Sequence, residues 1–302
     1  MREHGEYSRI ISIDICDSLF PADGVEYVYG DVRRPIALAN APSGPEIYNF
    51  AAVHTTPGHE DWEYFWTNEW GAIHVCDFAS AVGAKFLFFS SSISTYGSTE
   101  SELDEEGPFE PTSAYGRSKL LAEAIHRSWQ KSDAGRRLCI VRPGVIFGQG
   151  ERGNFTRLAA ALKAKRFFYP GRDDAIKSCG YVGELVRSML FTRDLPDAEI
   201  TYNFAYPNRY TTREICATFC QLANFKMPSA VIPNAVILGA GFAFEILAAL
   251  GVKTSINRAR IRKLMLSTNV VPRKLAELGY QFETDLKEGI KRWHTESQGR
   301  FE

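Results

Sequence analysis

With 302 residues, 35 Lys+Arg against 36 Asp+Glu and 45% hydrophobic residues, the chain can bury a large core without disulfide or metal staples, and its length suggests two lobes. A formal charge of −1 argues against nucleic acid as the main partner, because phosphate binding needs a basic face. Ordinary glycine, proline and aromatic content excludes collagen-like, coiled-coil and disordered classes.

In chain order, short β-rich runs at Arg9–Ile15, Glu26–Tyr29, Glu46–Ala52, Lys85–Ser90 and Leu138–Arg142 alternate with helical patterns at Asp61–Val82 and Ser113–Lys131. That alternation predicts an α/β fold with a parallel sheet. Apolar runs such as Phe86–Phe89 and Cys139–Val141 predict strands covered on both faces, as in a doubly wound sheet. Beyond Gly150, helices are expected at Phe155–Lys165, Tyr181–Thr192, Thr212–Asn224 and Arg258–Leu266, with a short strand at Ile200–Phe204. The six cysteines (Cys16, Cys76, Cys139, Cys179, Cys216, Cys220) form no C-x-x-C pair and sit mostly in apolar runs. Buried thiols in a reducing cytoplasm are therefore expected. Cys216 and Cys220 lack the partners of a zinc site, so no metal is predicted. The first ten residues carry no apolar signal-peptide core. Val231–Val252 is apolar and about long enough to span a bilayer, but carries Pro233, Asn234 and Glu245, so a buried helix is expected rather than a membrane segment. Trp62, Trp66 and Trp70 recur every four residues, a spacing expected of a core-facing stripe rather than a ligand platform.

The segment from Phe86 to Gly150 carries the chemistry. A buried strand runs into Ser90-Ser91-Ser92, Tyr115 and Lys119 lie four residues apart at a helix start, and a second strand ends in Arg142-Pro143-Gly144. Residues four apart on a helix project from one face. A lysine ammonium beside a phenol favours phenolate and should lower the tyrosine pKa below its ordinary value of about 10. A serine at a strand's carboxyl end reaches the same point, where open α/β sheets bind ligands. Tyr115 is thus the expected acid/base, Lys119 its electrostatic tuner and Ser92 the donor orienting a substrate oxygen, for an alcohol/ketone pair.

These motifs, together with Asp14 ending a strand, Gly30-Asp31-Val32, Asn49-Phe50-Ala51-Ala52, Asn68 and Tyr202-Asn203, resemble the extended short-chain dehydrogenase/reductase family, in its nucleotide-sugar epimerase/dehydratase branch. The resemblance implies a Rossmann-like dinucleotide lobe over residues 1–150 and a smaller substrate lobe over 151–302, with segments from about 178 to 205 returning to the sheet. It implies NAD as cofactor. Asp14 would bond the adenosine ribose and repel a 2′-phosphate, while Asp31 and Val32 flank the adenine. Ala51, Asn68, Ser90, Tyr115, Lys119, Pro143 and Val145 would line the rest of the cofactor path. His54, Ser92, Lys177 and Arg260 are the expected substrate contacts. For His54 a satisfied loop histidine is the commoner alternative, and Arg258, Arg260 and Arg262 read equally as a solvated helix face. The tryptophan helix could also contribute to a homodimer interface.

Family members open with a strand and a G-x-x-G-x-x-G loop whose amides bind the pyrophosphate; this sequence shows no such loop at its start. The natural start is therefore expected upstream, with the central first strand of the sheet among the absent residues. Gly239-Ala-Gly241 is a decoy, since Phe244 stands where a third glycine is needed. The expected reaction is C4 epimerisation of a nucleotide-linked sugar through a keto intermediate. Ile93 and Ser94 stand where dehydratases of the branch typically carry Asp-Glu, which disfavours dehydration. A nucleotide-sugar reductase or dehydrogenase, and a truncated non-catalytic binding subunit, are the alternatives.

Overall fold

The computed structural model describes residues 7–55, 58–233 and 265–302. Four parallel strands form the main sheet in the order β10-β6-β4-β3: β3 (Glu46–Asn49), β4 (Phe86–Ser90), β6 (Arg137–Pro143) and β10 (Glu199–Phe204). Their side chains alternate between two cores, as the two-residue strand period requires. Leu87, Phe89, Leu138 and Ile140 pack with Ala72, Val75, Ala79, Ala122 and Trp129. Phe86, Phe88, Cys139 and Val141 pack on the other face with Met189, Leu275 and Tyr280. Both faces are covered, which is why the strands read as continuous apolar runs.

The first face is covered by a long helical segment and by α3 (Ala114–Lys131). The segment starts as α1 (Asp61–Tyr64), passes through a π-helical stretch (Phe65–Trp70) and continues as α2 (Gly71–Ala81). The second face carries α5 (Val182–Arg193) and α7 (Arg273–Glu277).

β1 (Ile10–Asp14) and β2 (Val25–Tyr29) form a separate parallel pair. Among the described residues no strand lies along the second edge of either β1 or β3. The Tyr7 hydroxyl, just before β1, bonds the Glu46 carboxylate at the start of β3, and Arg9 donates to the Asn40 carbonyl at 2.8 Å in the connection between β2 and β3.

A second core is built by α4 (Asn154–Lys163), α6 (Thr212–Ala223) and α8 (Leu286–Glu296), with Phe155, Leu162, Ile215, Phe219, Ile290, Trp293 and Phe301 buried together. Short strand pairs complete it: β7 (Val145–Phe147) with β9 (Cys179–Tyr181), and β8 (Tyr169–Pro170) with β11 (Val231–Ile232). β5 (Thr99–Leu103) pairs with β12 (Thr268–Val270).

Four expectations need correction. Trp62, Trp66 and Trp70 are 58%, 44% and 55% exposed rather than core residues. Helical spacing fixes only that they share a face, and the opposite face is the one that packs on α3. Cys16 is exposed, while the other five cysteines are buried. Val231 and Ile232, assigned to a helix from sequence, form a strand, because Tyr169 and Pro170 offer a parallel partner. β3 ends at Asn49, where the side chain accepts the Ala51 amide at 3.2 Å and turns the chain out of the sheet. The rest of Val231–Val252, the Gly239–Gly241 decoy and Arg258, Arg260 and Arg262 lie outside the described residues. Among the described residues, no helix is long and apolar enough to cross a membrane and no group of side chains could hold a metal ion.

Candidate active site

The site forms where β4 ends and α3 begins. Ser113 caps α3 by accepting the Gly116 amide at 3.1 Å, and this fixes the first turn that carries Tyr115. Gly116 permits a close approach: a Cβ there would sit 2.2 Å from the Ser94 carbonyl oxygen. Past β4, Ser92 caps the 3-10 turn Ile93–Thr95 and accepts the Ser94 amide at 3.1 Å. Its hydroxyl also meets the Tyr115 phenol. One turn along α3, Lys119 is buried and donates its ammonium to the Ser90 carbonyl at 2.7 Å, over the Phe89 ring. The structure thus brings Ser90, Ser92, Tyr115 and Lys119 together.

The electrostatics differ from the sequence expectation. Burial pushes the Tyr115 phenol above its ordinary pKa, and only the Ser92 contact opposes it. Burial also pulls Lys119 down to about 7, with the Glu123 carboxylate working the other way. The Lys119 ammonium is turned to the Ser90 carbonyl, and burial is the larger influence on the phenol.

The loop after β3 is held from two sides. Asn49 accepts the Ala51 amide and faces His126 Nε2 at 3.2 Å. Asn68, buried in the π-helical stretch, accepts the Val53 amide at 2.9 Å, donates to the Val53 carbonyl at 3.0 Å and donates to Ser118 at 2.9 Å. Its polar atoms are therefore committed to bracing the loop on α3, and a local π-bulge is a common device for such placement.

The remaining expected contacts spread outward. Asp14, exposed at the end of β1, accepts the Cys16 amide at 3.0 Å. Asp31 is gripped by Arg33, whose hydrogen bonds hold its carboxyl below the usual range. The Val32 carbonyl meets His74 at 2.7 Å. Pro143 ends β6 beside Phe204, and the Val145 amide donates to the Ser178 carbonyl at 2.9 Å. His54 is exposed on the loop. Lys177 reaches the Leu266 carbonyl, and burial lowers its pKa to about 8. Arg260 lies outside the described residues. Two clefts, of about 370 and 530 Å³, are lined by other residues, and neither includes Ser92, Tyr115 or Lys119.

Residues 7–205 match the NAD dependent epimerase/dehydratase family. The chain belongs to that family. The N-acetyl-alpha-D-glucosaminyl-diphospho-ditrans,octacis-undecaprenol 4-epimerase of Escherichia coli O157:H7 is 30% identical over 267 residues, covering 87% of this chain and 81% of that one. UDP-glucose 4-epimerase 4 of Oryza sativa subsp. japonica is 40% identical over 200 residues, 57% of this chain and 53% of its own length. Among solved structures, MoeE5 in complex with UDP-glucose and NAD superposes with a TM-score of 0.73 at 18% identity, covering 98% of this chain and 92% of that one. A UDP-galactose 4-epimerase gives 0.72 at 15% identity, covering 98% and 92%. These likenesses establish a Rossmann-like α/β fold.

The donor set of this epimerase/dehydratase family chain suits the two ends of a dinucleotide: an exposed carboxylate at Asp14, and a phenol and ammonium at Tyr115 and Lys119. Among the described residues no glycine-rich strand-to-helix turn is present to receive the diphosphate.

Sequence reasoning assigned no individual role to Glu123, Arg142, Ser91, Tyr96 or His126. Glu123 lies four residues beyond Lys119, so the Tyr115-Lys119-Glu123 spacing was the available signal.

Proposed function

We propose that this chain is an NAD-dependent 4-epimerase of a sugar joined to a diphosphate, with residues 1–150 as the dinucleotide lobe and 151–302 as mainly the substrate lobe. The observation that carries the reading is the convergence of Ser92, Tyr115 and Lys119 where β4 meets the first turns of α3. Bound NAD would accept a hydride from the sugar C4 and return it. Ser92 orients the C4 oxygen, and Tyr115 takes the hydroxyl proton as the carbonyl forms and gives it back to the opposite epimer. Lys119, one helical turn away, supplies positive charge to the site as the phenol loses its proton. Asp14 fits an adenosine ribose, and His54, Lys177 and Arg260 are proposed substrate contacts. A cytoplasmic location fits the five buried free thiols. A homodimer fits the exposed tryptophan face.

A nucleotide-linked sugar is the favoured substrate, in keeping with the relatives named for UDP-sugars. A polyprenyl diphosphate carrier is the second reading. It is favoured by the Escherichia coli relative and by the apolar run at Val231–Val252, which is followed by Arg258, Arg260, Arg262 and Lys263.

The test is incubation of purified protein with UDP-hexoses and UDP-N-acetylhexosamines, then with polyprenyl-diphosphate amino sugars, without added cofactor, followed by product chromatography. Epimers should appear, and Tyr115→Phe should reduce turnover about 10²–10⁴-fold. Turnover that requires stoichiometric NADH would replace epimerisation by net reduction, and unchanged activity in Tyr115→Phe would remove the proton-transfer role.

A further inference from the structure

Glu123 is fully buried on α3, one turn beyond Lys119 and on the same face. It receives the Ser91 hydroxyl at 2.6 Å on one oxygen. Arg142 grips both oxygens, Nε at 2.8 Å and Nη2 at 2.7 Å. Arg127 adds a third cationic contact at 3.1 Å. Burial works against this carboxylate, yet the Arg142 bonds keep its pKa below the usual range, so it stays charged.

Ser91 stands between the two residues that matter: the Ser90 carbonyl holds Lys119, and the Ser92 hydroxyl meets Tyr115. The Ser91 amide is tied to the Val141 carbonyl at 2.7 Å, next to Arg142. Arg142 then donates to the Tyr96 hydroxyl at 2.6 Å, and Tyr96 in turn donates to Asn203 at 2.9 Å. The Tyr96 amide closes the 3-10 turn that Ser92 caps. One carboxylate therefore joins the ends of β4 and β6 to the helix that carries Tyr115 and Lys119.

Resting on the reading above, we propose that Glu123 is a positioning residue of this site: through Ser91 and Arg142 it fixes where Ser90 and Ser92 stand, and its carboxylate, one helical turn beyond Lys119, favours the protonated form of that buried amine. The groups facing Lys119 are few among the described residues. Its own helix offers Tyr115, Glu123 and His126, and β4 offers the Ser90 carbonyl and the Phe89 ring. β6 offers Arg142, whose charge is met by Glu123. A protonated Lys119 thus depends on Glu123 more than on any other anionic group named here.

The test uses lysine labelled with ¹³C at Cε in the ligand-free full chain, with the Lys119 resonance assigned through Lys119→Met. Its titration midpoint should fall by at least one pH unit in Glu123→Gln, a tenfold loss of proton affinity. Because Glu123→Gln leaves Arg142 buried and unneutralised and could fail to fold, Glu123→Met/Arg142→Met is the second variant. Replacing a whole buried ion pair by apolar side chains of similar volume commonly preserves stability. Here the Lys119 midpoint should still fall, by less than in Glu123→Gln, because the opposing charge of Arg142 leaves together with the carboxylate. Ser91→Ala keeps the carboxylate, so the midpoint should stay while kcat drops at least tenfold with little change in KM. A Lys119 midpoint equal to the parent's in the folded Glu123 variants, or a parental kcat in Ser91→Ala, overturns the assignment. The titration needs no substrate, so an inactive parent would defeat the epimerase reading while the titration still decides the role of Glu123.

Discussion

His126 offers a quantitative check on the packing behind the site. The ring is fully buried on α3, stacked on Phe89 with centroids 4.1 Å apart, and its Nδ1 lies 2.7 Å from the Ala122 carbonyl. A carbonyl at Nδ1 assigns the proton of the neutral ring to that nitrogen, leaving Nε2 to accept from Asn49. Burial lowers the pKa from 6.5 to about 4. Between those values the unfolded chain holds a proton that the native chain does not, so stability falls as pH falls through the window and is level above it. At 1.36 kcal/mol per pKa unit the loss is about 3 kcal/mol by pH 4. Protonation would also set a donor at Nε2 against the Asn49 amide and release the Ala51 turn. The assay is urea unfolding of the parent and His126→Gln from pH 4 to 8. Carboxylates contribute alike to both, so the gap between the two stability curves isolates the ring. We expect the parent to lose about 3 kcal/mol more than the variant across that range. A gap that stays constant from pH 7 to 4 would refute the argument.

Two further outcomes follow from the bracing of the loop and from the exposed face of the long helix. Asn68→Ala removes all three side-chain bonds holding Val53 and Ser118, and should cost about 1–3 kcal/mol while weakening NAD affinity, read by calorimetry and by cofactor fluorescence titration. If the exposed tryptophan face forms the homodimer proposed above, the parent should sediment as a dimer and Trp62→Glu/Trp70→Glu as a monomer with unfolding nearly unchanged, since both side chains are exposed; a monomeric parent would refute that proposal.

The parallel sheet was legible because its strands are covered on both faces. Phe86–Phe89 and Cys139–Val141 could hardly be read otherwise, and the alternate positions do divide between two cores. Tyr115 and Lys119 were legible through helical spacing, and Ser92 through its place after an apolar strand. The exposed tryptophans were not, because periodicity reveals which residues share a face but not which face meets a neighbour. The Tyr115 pKa was misjudged for a related reason: spacing placed the ammonium on the right side of the helix, while the Ser90 carbonyl decided where it points.

By itself the sequence determined the alternation of strands and helices, the grouping of one hydroxyl, one phenol and one ammonium, and the resemblance that goes with them. These are properties of neighbours along the chain. The tertiary structure alone decided that Glu123, Ser91 and Arg142 meet in one buried cluster and that Asn49 and Asn68 grip the same loop. Each joins residues distant in sequence, and burial, which sets the charge state of Lys119 and His126, exists only once the chain has packed.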